Sequence, residues 1–217
     1  ITDGATVGMG GLYPEDGPTA GFGVFGVINA LGWKDVDTGA PKGMVVTGST
    51  GNGTWQYSTD LGSWTNVGSV SATHGLLLSD TSWLRYVGDN ANGETPTIQV
   101  RAWDMTSGDA SAYGAPSYMD PDVGGGSTAF SAQSGNAYTV ISSVNDAPVL
   151  NNSKSPMLTA QNEDSGPPVG AVGTLVSSLV DFASPSGQVD NVTDVDSGSL
   201  QGIAITAADT ANGNWYY

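Results

Sequence analysis

The stretch Thr97-Ile98-Gln99-Val100-Arg101-Ala102-Trp103 decides the fold class of this chain. Ile98, Val100 and Ala102 share one face of an extended segment, and the side chains between them point to the other, which is the period of a β-strand. Similar short runs, rich in β-branched and aromatic residues, occur at residues 45–47, 54–57, 83–87 and 137–141. Clusters of Gly, Asn, Asp and Ser separate these runs. Many short strands divided by turn signals predict an all-β, antiparallel β-sandwich.

The composition of the chain excludes several classes of function. Its 217 residues include 21 acidic side chains, five basic ones, one histidine and no cysteine, for a formal net charge of −16. Because so acidic a surface cannot neutralise phosphates, we expect no nucleic-acid partner. No apolar run is long enough to span a bilayer, so we expect no direct membrane insertion. A single histidine, no cysteine and no G-x-S-x-G motif predict that the chain is not an enzyme.

An internal repeat is the most informative feature of the sequence. Four blocks recur in the same order, which predicts two modules of one fold. The matching pairs are residues 15–24 and 163–173, residues 35–39 and 194–198, residues 43–47 and 202–206, and residues 52–57 and 212–217. Helical periodicity is weak and occurs only around residues 27–31 and 174–179.

The second copy is only partly present. Residues 58–147 have no counterpart after Tyr217, so the sequence predicts a complete β-sandwich module over residues 1–147 and the leading part of a second over residues 148–217. The second module is either truncated or split by an insertion, and both interpretations stay open. Its apolar faces then need cover from another chain, from the first module or from the missing half of a split domain, and we expect residues 213–217 to pair with a β-edge.

Acidic residues form short motifs at the apparent ends of the strands. These are Glu15-Asp16, Asp35-x-Asp37, Asp104, Asp120-x-Asp122, Asn145-Asp146, Glu163-Asp164 and Asp194-x-Asp196. Calcium takes about six to eight oxygen ligands, most of them carboxylates and carbonyls, and a D-x-D pair directs two carboxylates to the same side of an extended segment. One interpretation is that these acids only solvate the surface. The recurrence of the motifs in both copies favours calcium binding.

The segment Val144-Asn145-Asp146-Ala147-Pro148-Val149-Leu150 joins the two predicted modules. It resembles the linker between the cadherin-like or immunoglobulin-like repeats of large bacterial RTX-type surface adhesins. Further blocks that carry the resemblance are residues 35–43, 53–58, 101–108 and 128–131. The resemblance implies an immunoglobulin- or cadherin-like β-sandwich in an adhesin or biofilm protein, located outside the cell on the bacterial surface. Its partners would be neighbouring repeats of the same polypeptide.

The resemblance also implies which acids share a calcium ion. Acids at the start and end of one module, the linker acids and a D-x-D pair of the next module converge at the junction in cadherin-type repeats. Carried over to this chain, the ligands between the two modules would be Glu15, Asp104, Asn145, Asp146, Asp194 and Asp196. Asp35 and Asp37 would serve a junction with an upstream module, and Glu163 would serve one with a downstream module. Bound ions would stiffen the linker, since they neutralise carboxylates that otherwise repel one another.

Two functions follow from this reading of the sequence. The first is a calcium-stiffened extender that holds other parts of a long adhesin away from the cell. The alternative is a module that itself binds a carbohydrate or peptide ligand through residues 17–34 and 109–126, which are rich in Gly and aromatic side chains or in Gly, Asp and Tyr. Aromatic side chains outside the repeat, such as Trp33 and Trp64, would supply stacking surfaces for such a ligand.

Overall fold

The computed structural model describes residues 1–121 and 124–217, and it is an all-β sandwich as the sequence predicts. Strands account for 32% of the residues and helices for 5%. The chain divides into two compact units, Ile1–Val144 and Asn145–Tyr217. The division lies close to the expected module boundary after residue 147. Among the described residues, no helix has the length and apolar character needed to cross a bilayer.

The described part of the first unit contains ten strands and one helix. In chain order they are β1 (Thr6–Pro14), β2 (Phe22–Gly23), α1 (Val24–Ala30), β3 (Gly43–Ser49), β4 (Thr54–Ser58), β5 (Thr65–Asn66), β6 (Gly75–Ser79), β7 (Trp83–Val87), β8 (Thr97–Trp103), β9 (Tyr118–Met119) and β10 (Phe130–Ser142). The five runs that the sequence analysis identifies as strands lie within β3, β4, β7, β8 and β10.

Two sheets form the sandwich of the first unit. One has the strand order β1-β10-β8-β3-β6-β9, and the other has the order β2-β7-β4-β5. Neighbouring strands are antiparallel with one exception, because β1 runs parallel to β10. The ends of β1 and β10 therefore lie side by side, with Pro14 paired to Ser142. This pairing determines where the first acidic motif lies.

The core of the first unit lies between the two sheets. Ile98 and Val100 of β8 are fully buried, as the alternation in the sequence predicts, and they belong to one cluster with Met44 of β3 and with Trp55 of β4. A second, smaller cluster lies on the opposite side of the six-stranded sheet around the fully buried Trp103. Burial on both sides of β8 explains why this strand carries a tryptophan on the face opposite its aliphatic residues.

Helix α1 belongs to the core of the first unit. It buries Val24, Val27 and Ile28, which have the i, i+3, i+4 spacing of a helix with one apolar face. The weak helical periodicity around residues 27–31 is therefore genuine. The central part of region 17–34 is thus a packed element of the fold, which leaves little of it to act as a ligand-binding loop.

The second unit has little regular structure. Its described elements are β11 (Val149–Leu150), which pairs antiparallel with β12 (Val192–Thr193), and a 3₁₀ helix over Val176–Ser178, within the second weakly helical window. Val192 and Asn191 are buried. Residues 194–217, all of which the structure describes, lie outside any strand or helix.

The strand expected at residues 213–217 is not formed. Trp215 is 60% exposed, whereas its counterpart Trp55 is 5% exposed. The physical reason is the lack of partners, since β4 of the first unit is held between β5 and β7. In the second unit, whose residues are all described, no counterparts of these two strands are present.

Candidate metal-ligating residues

Glu15 is the most unusual acidic residue of the first unit. It directly follows β1, and its N–H donates a 3.2 Å hydrogen bond to the carbonyl oxygen of Ser142. Its side chain is fully buried, and Oε1 accepts a 2.7 Å hydrogen bond from the N–H of Val144. The other carboxylate oxygen, Oε2, is buried and has no hydrogen-bond partner among the described residues. A buried carboxylate is costly unless its charge is compensated, so this oxygen is a candidate ligand for a cation.

Gly88 holds the backbone of Glu15 in place. It follows β7, and a Cβ at this position would overlap the carbonyl oxygen of Glu15. Only glycine lets the two backbone segments approach so closely. The carboxylate therefore projects from a backbone that is fixed by β10 on one side and by Gly88 on the other.

Three acids that the sequence assigns to calcium lie together in the second unit. The N–H of Asp146 donates a 2.7 Å hydrogen bond to Oδ2 of Asp196, and the N–H of Asp196 donates a 3.0 Å bond to Oδ1 of Asp194. Carboxylate oxygens of Asp146 and Asp196 lie within 4.8 Å of each other. Two carboxylates at this distance repel unless a cation or proton lies between them.

Asn145 borders this group of acids. Its side chain is exposed, and Nδ2 donates a 2.8 Å hydrogen bond to the carbonyl oxygen of Asp146. An amide that uses its nitrogen in this way keeps its oxygen available as a neutral ligand. The linker thus offers one amide oxygen beside the carboxylates of Asp146 and Asp196.

Asp104 lies at the wrong end of the first unit to join Glu15. Its N–H donates to the carbonyl oxygen of Ala129, just before β10 begins, whereas Glu15 bonds Ser142 at the end of β10. A strand of 13 residues spans about 40 Å. The resemblance implies that Asp104 and Glu15 bind the same calcium ion, and this prediction is wrong, because the structure does not bring the two residues together. The reason is strand direction, since β8 runs antiparallel to β10.

Asp104 lies instead on the same cleft as Asp35. The cleft has a volume of about 180 Å³, and its lining includes Trp33, Asp35, Asp104 and Phe130. Asp35 Oδ1 accepts the N–H of Asp37 at 2.8 Å, and Asp104 Oδ1 accepts both the N–H and the hydroxyl of Thr106, at 2.9 and 2.6 Å. These bonds fix the orientation of each of the two carboxylates.

The remaining predicted ligands, Asp37 and Glu163, are exposed. Glu163 is the repeat counterpart of Glu15, but Glu15 is fully buried whereas Glu163 is exposed. The backbone of Glu15 is bonded to β10 and closely approached by Gly88, while the segment around Glu163 forms no strand. Nothing in the second unit gives Glu163 the environment of its counterpart. Asp122 of the predicted Asp120-x-Asp122 motif lies outside the described residues.

Regions 17–34 and 109–126, named in the alternative function, both reach the cleft of Asp35. The first contributes Trp33 and the second contributes Gly125 and Gly126, while residues 122–123 are not described. The ammonium group of Lys42 lies 4.9 Å from the centroid of the Trp33 ring. The volume is nevertheless well below the roughly 300–1,000 Å³ of ordinary small-molecule sites. The cleft could hold one small group but not an extended ligand.

Glu94 has a structural role that the sequence analysis missed. Its carboxylate accepts the N–H of Asn52 at 2.9 Å, the N–H of Gly53 at 3.4 Å and the phenolic hydroxyl of Tyr86. The pKa of Tyr86 is raised above that of an ordinary tyrosine. Burial is the larger cause, and the hydrogen bond to Glu94 is the next. The carboxylate closes the turn between β3 and β4, so its charge is compensated within the protein.

Asp181 has a similar structural role in the second unit. Its carboxylate accepts the backbone N–H groups of Gln188, Val189 and Asp190. Burial on its own would raise the pKa of Asp181, but the three donors outweigh it and lower the pKa below its usual value. In the sequence, Asp181 precedes a stretch with Ser184, Ser186 and Gly187, which is a pattern typical of a turn. Many other acids of the chain precede similar stretches, so the pattern alone does not single out Asp181.

No family model, curated protein or solved structure matches the chain in the comparisons made with known proteins.

Proposed function

We propose that the chain is a calcium-stabilised β-sandwich segment of a long bacterial surface adhesin and acts as a structural extender in cell adhesion or biofilm formation. One observation carries the proposal: the fully buried carboxylate of Glu15, whose Oε2 has no hydrogen-bond partner in the described part of the chain. The net charge of −16 favours the binding of cations over anions across the whole surface.

The donor set favours calcium over other metals. Glu15 in the first unit, and separately Asp146, Asp194 and Asp196 in the second, offer only oxygen ligands, which hard cations prefer. The chain has no cysteine to select zinc or copper. Asn145 adds an amide oxygen of the kind found in calcium sites. Magnesium demands tight octahedral geometry and gives up its water reluctantly, so mixed carboxylate and amide ligands from loops suit it less well.

The role as an extender rests on the repeat and on the resemblance of the linker. Repeated β-sandwich modules with acids around Asn145 and Asp146 would bind calcium outside the cell, where calcium modules have dissociation constants of about 10⁻⁴–10⁻³ M. Bound ions would then restrict the linker. Its partners would be neighbouring repeats of the same polypeptide, and its location would be the bacterial cell surface.

A second candidate function is ligand binding at the cleft of Asp35. The specific observation in its favour is that Trp33, Gly125 and Gly126, from the two regions of the alternative function, line the same cleft. Its small volume favours a single sugar unit or amino-acid side chain. Binding on a glycan or peptide array that is lost in a Trp33→Ala variant would support this function.

Thermal unfolding tests the proposed calcium binding. A ligand that binds only the folded state stabilises it by RT ln(1 + [L]/Kd). For a Kd of about 10⁻⁴–10⁻³ M, calcium at about 10 mM should therefore add about 1.4–2.7 kcal/mol and raise the melting temperature over that in EDTA. Glu15→Gln should remove most of this shift. Asp16→Asn is the matched control, because Asp16 is the exposed neighbour of Glu15 and the charge change is the same. Identical curves in EDTA and calcium for the unaltered chain would contradict the proposal.

A further inference from the structure

The outer face of the four-stranded sheet carries three polar side chains that are hydrogen-bonded in a row. Gln56 of β4 is paired in register with Arg85 of β7 on one side and with Asn66 of β5 on the other. Arg85 Nε donates a 2.8 Å hydrogen bond to Gln56 Oε1, and Gln56 Nε2 donates a 2.8 Å bond to Asn66 Oδ1. The neighbours of Gln56 and Arg85 along their strands are buried in the core, so these polar side chains face outward. We call Arg85, Gln56 and Asn66 the polar row.

The direction of the two hydrogen bonds determines what the polar row offers to a ligand. Arginine can only donate, so it engages the oxygen of Gln56, and Gln56 then donates to the oxygen of Asn66. The terminal nitrogens of Arg85 and Nδ2 of Asn66 form no hydrogen bond within the described part of the chain. The polar row thus presents N–H donors and a positive charge, while both of its amide oxygens are already engaged.

Arg85 has no acidic partner, although the chain has 21 acids and only five basic residues. Burial lowers the pKa of Arg85, and no carboxylate of the described residues forms an ion pair that would counter this effect. Asp60, in the loop after β4, instead accepts the N–H groups of Gly62 and Ser63 at 2.9 and 2.8 Å. The guanidinium is therefore available to an anionic group from outside the protein, as a local exception in a chain of net charge −16.

Two tryptophans border Arg85 on the same face. The centroid of the Trp64 ring lies 4.2 Å from the guanidinium carbon of Arg85. Trp83 precedes Arg85 by two residues in β7 and so shares its side of the sheet. Both rings lie over glycines, since a Cβ at Gly21 would be 3.1 Å from the Trp64 ring and one at Gly23 would be 3.6 Å from the Trp83 ring. The two half-exposed rings offer flat apolar surfaces of the kind that pack against the C–H groups of a sugar ring.

The other end of the polar row opens on a cavity. Asn66 lines a cavity of about 190 Å³ together with Thr50 and Thr54. Because the polar row crosses three adjacent strands, it spans about 10 Å, which is more than one sugar ring. The face therefore fits successive units of an oligosaccharide better than a single one.

We propose that the outer face of the four-stranded sheet binds carboxylate-bearing sugars of an acidic polysaccharide. The planar carboxylate of one sugar would accept both terminal nitrogens of Arg85, whose fork matches it, and the ring would pack against the tryptophans. Asn66 Nδ2 would donate to a hydroxyl oxygen of the next unit. The inference goes beyond the proposed function, because it involves neither calcium nor the cleft of Asp35, which is lined from β8 and β10 of the other sheet.

A titration followed by NMR tests the proposal on the full chain. The probe is a tetramer of galacturonic acid, added in EDTA to prevent bridging by calcium and in about 0.15 M salt to screen the repulsion between two anions. We expect saturable shifts of the indole N–H groups of Trp64 and Trp83 and of the side-chain amide of Asn66. The methyl ester of the same tetramer keeps the rings but lacks the charges, and a tetramer of glutamate keeps the charges but lacks the rings. Each should bind at least about tenfold more weakly than the acid.

Three variants identify the group that binds the carboxylate. Gln56→Glu preserves the size of the side chain but gives Arg85 an internal carboxylate, so it should weaken binding of the galacturonic acid tetramer by at least about tenfold. Arg85→Gln should have the same effect. Lys154→Gln is the control, because it removes one positive charge from an exposed position of the second unit and should leave the affinity unchanged.

Four results would overturn the proposal. They are the absence of saturable shifts at Trp64, Trp83 and Asn66, equal binding of the acid and its methyl ester, equal binding of the sugar and the glutamate tetramers, and an affinity of Gln56→Glu equal to that of Lys154→Gln.

Discussion

Glu15 Oε1 accepts a 2.7 Å hydrogen bond from the N–H of Val144, which links the residue after the first strand of the unit to the last residue of that unit. The bond uses one oxygen of a fully buried carboxylate and leaves Oε2 for another ligand. It is possible only because β1 runs parallel to β10 and both strands end at the same edge. The position and the burial of Glu15 thus follow from the pairing of β1 with β10.

The close contact between Gly88 and Glu15 gives the first prediction. Gly88→Ala should destabilise the first unit by about 1–3 kcal/mol, because the added methyl group overlaps the carbonyl oxygen of Glu15 and the backbone must shift. It should also weaken calcium binding by moving the carboxylate. Urea unfolding in EDTA measures the loss of stability. The increase in melting temperature on adding calcium measures the weaker calcium binding.

Gly26→Ala is the control for this variant. Gly26 lies in α1, and a Cβ there meets no atom within 4 Å, so alanine should be neutral or stabilise by about 0.5–1 kcal/mol. If both variants unfold at the same urea concentration, the contact between Gly88 and Glu15 does not constrain the backbone.

The hydroxyl of Tyr86 gives the second prediction. Tyr86→Phe should lower the free energy of unfolding by about 1.5–3 kcal/mol, because it removes a hydrogen bond to the charged Glu94 from a closed turn. Tyr113→Phe, at an exposed tyrosine, should change it by less than about 0.5 kcal/mol. Chemical denaturation measures the free energy of unfolding of the two variants. Equal losses of this free energy would show that the bond to Glu94 does not stabilise the turn between β3 and β4.

The carboxylate of Asp181 gives the third prediction, which concerns pH. Because the folded-state pKa of Asp181 is lowered, its ionised form stabilises the second unit above its unfolded pKa, about 3.9, and this stability is lost as the pH falls through the folded pKa. Asp181→Asn should therefore lower amide protection of residues 188–190 at pH 7, and the difference should shrink below about pH 4.

Glu163→Gln is the control for Asp181, since Glu163 is an exposed acid of the same unit. It should leave the protection of residues 188–190 unchanged at either pH. A carboxyl titration of Asp181 with a midpoint at or above the usual aspartate value would contradict the prediction directly.

The strands could be predicted from the sequence, but the pairing of their ends could not. The alternation of Ile98 and Val100 is local, so β8 was identified correctly. Whether Asp104 lies near Glu15 depends on the direction of β8 relative to β10, and that is set by contacts between residues far apart in the chain. For the same reason the role of Glu94 was missed, because its partners Asn52 and Tyr86 come from two other segments.

The second unit shows a different limit of sequence reasoning. Residues 202–206 and 212–217 repeat the pattern of β3 and β4, but they form no strands. A strand pattern specifies a strand only when a neighbouring strand is present to pair with it, and a lone strand gains too little from burial to be ordered. The absence of partner strands within residues 145–217, all of which the structure describes, accounts for the difference.

Direct calcium binding tests the central claim most simply. Isothermal titration calorimetry of the full chain, of Glu15→Gln and of Asp16→Asn should be carried out at pH 7 in the presence of magnesium. We expect the unaltered chain to bind calcium saturably with Kd at or below about 10⁻³ M. The affinity should fall by at least about tenfold in Glu15→Gln and should be unchanged in Asp16→Asn. No saturable binding up to about 10 mM calcium, or equal affinity in all three proteins, would contradict it.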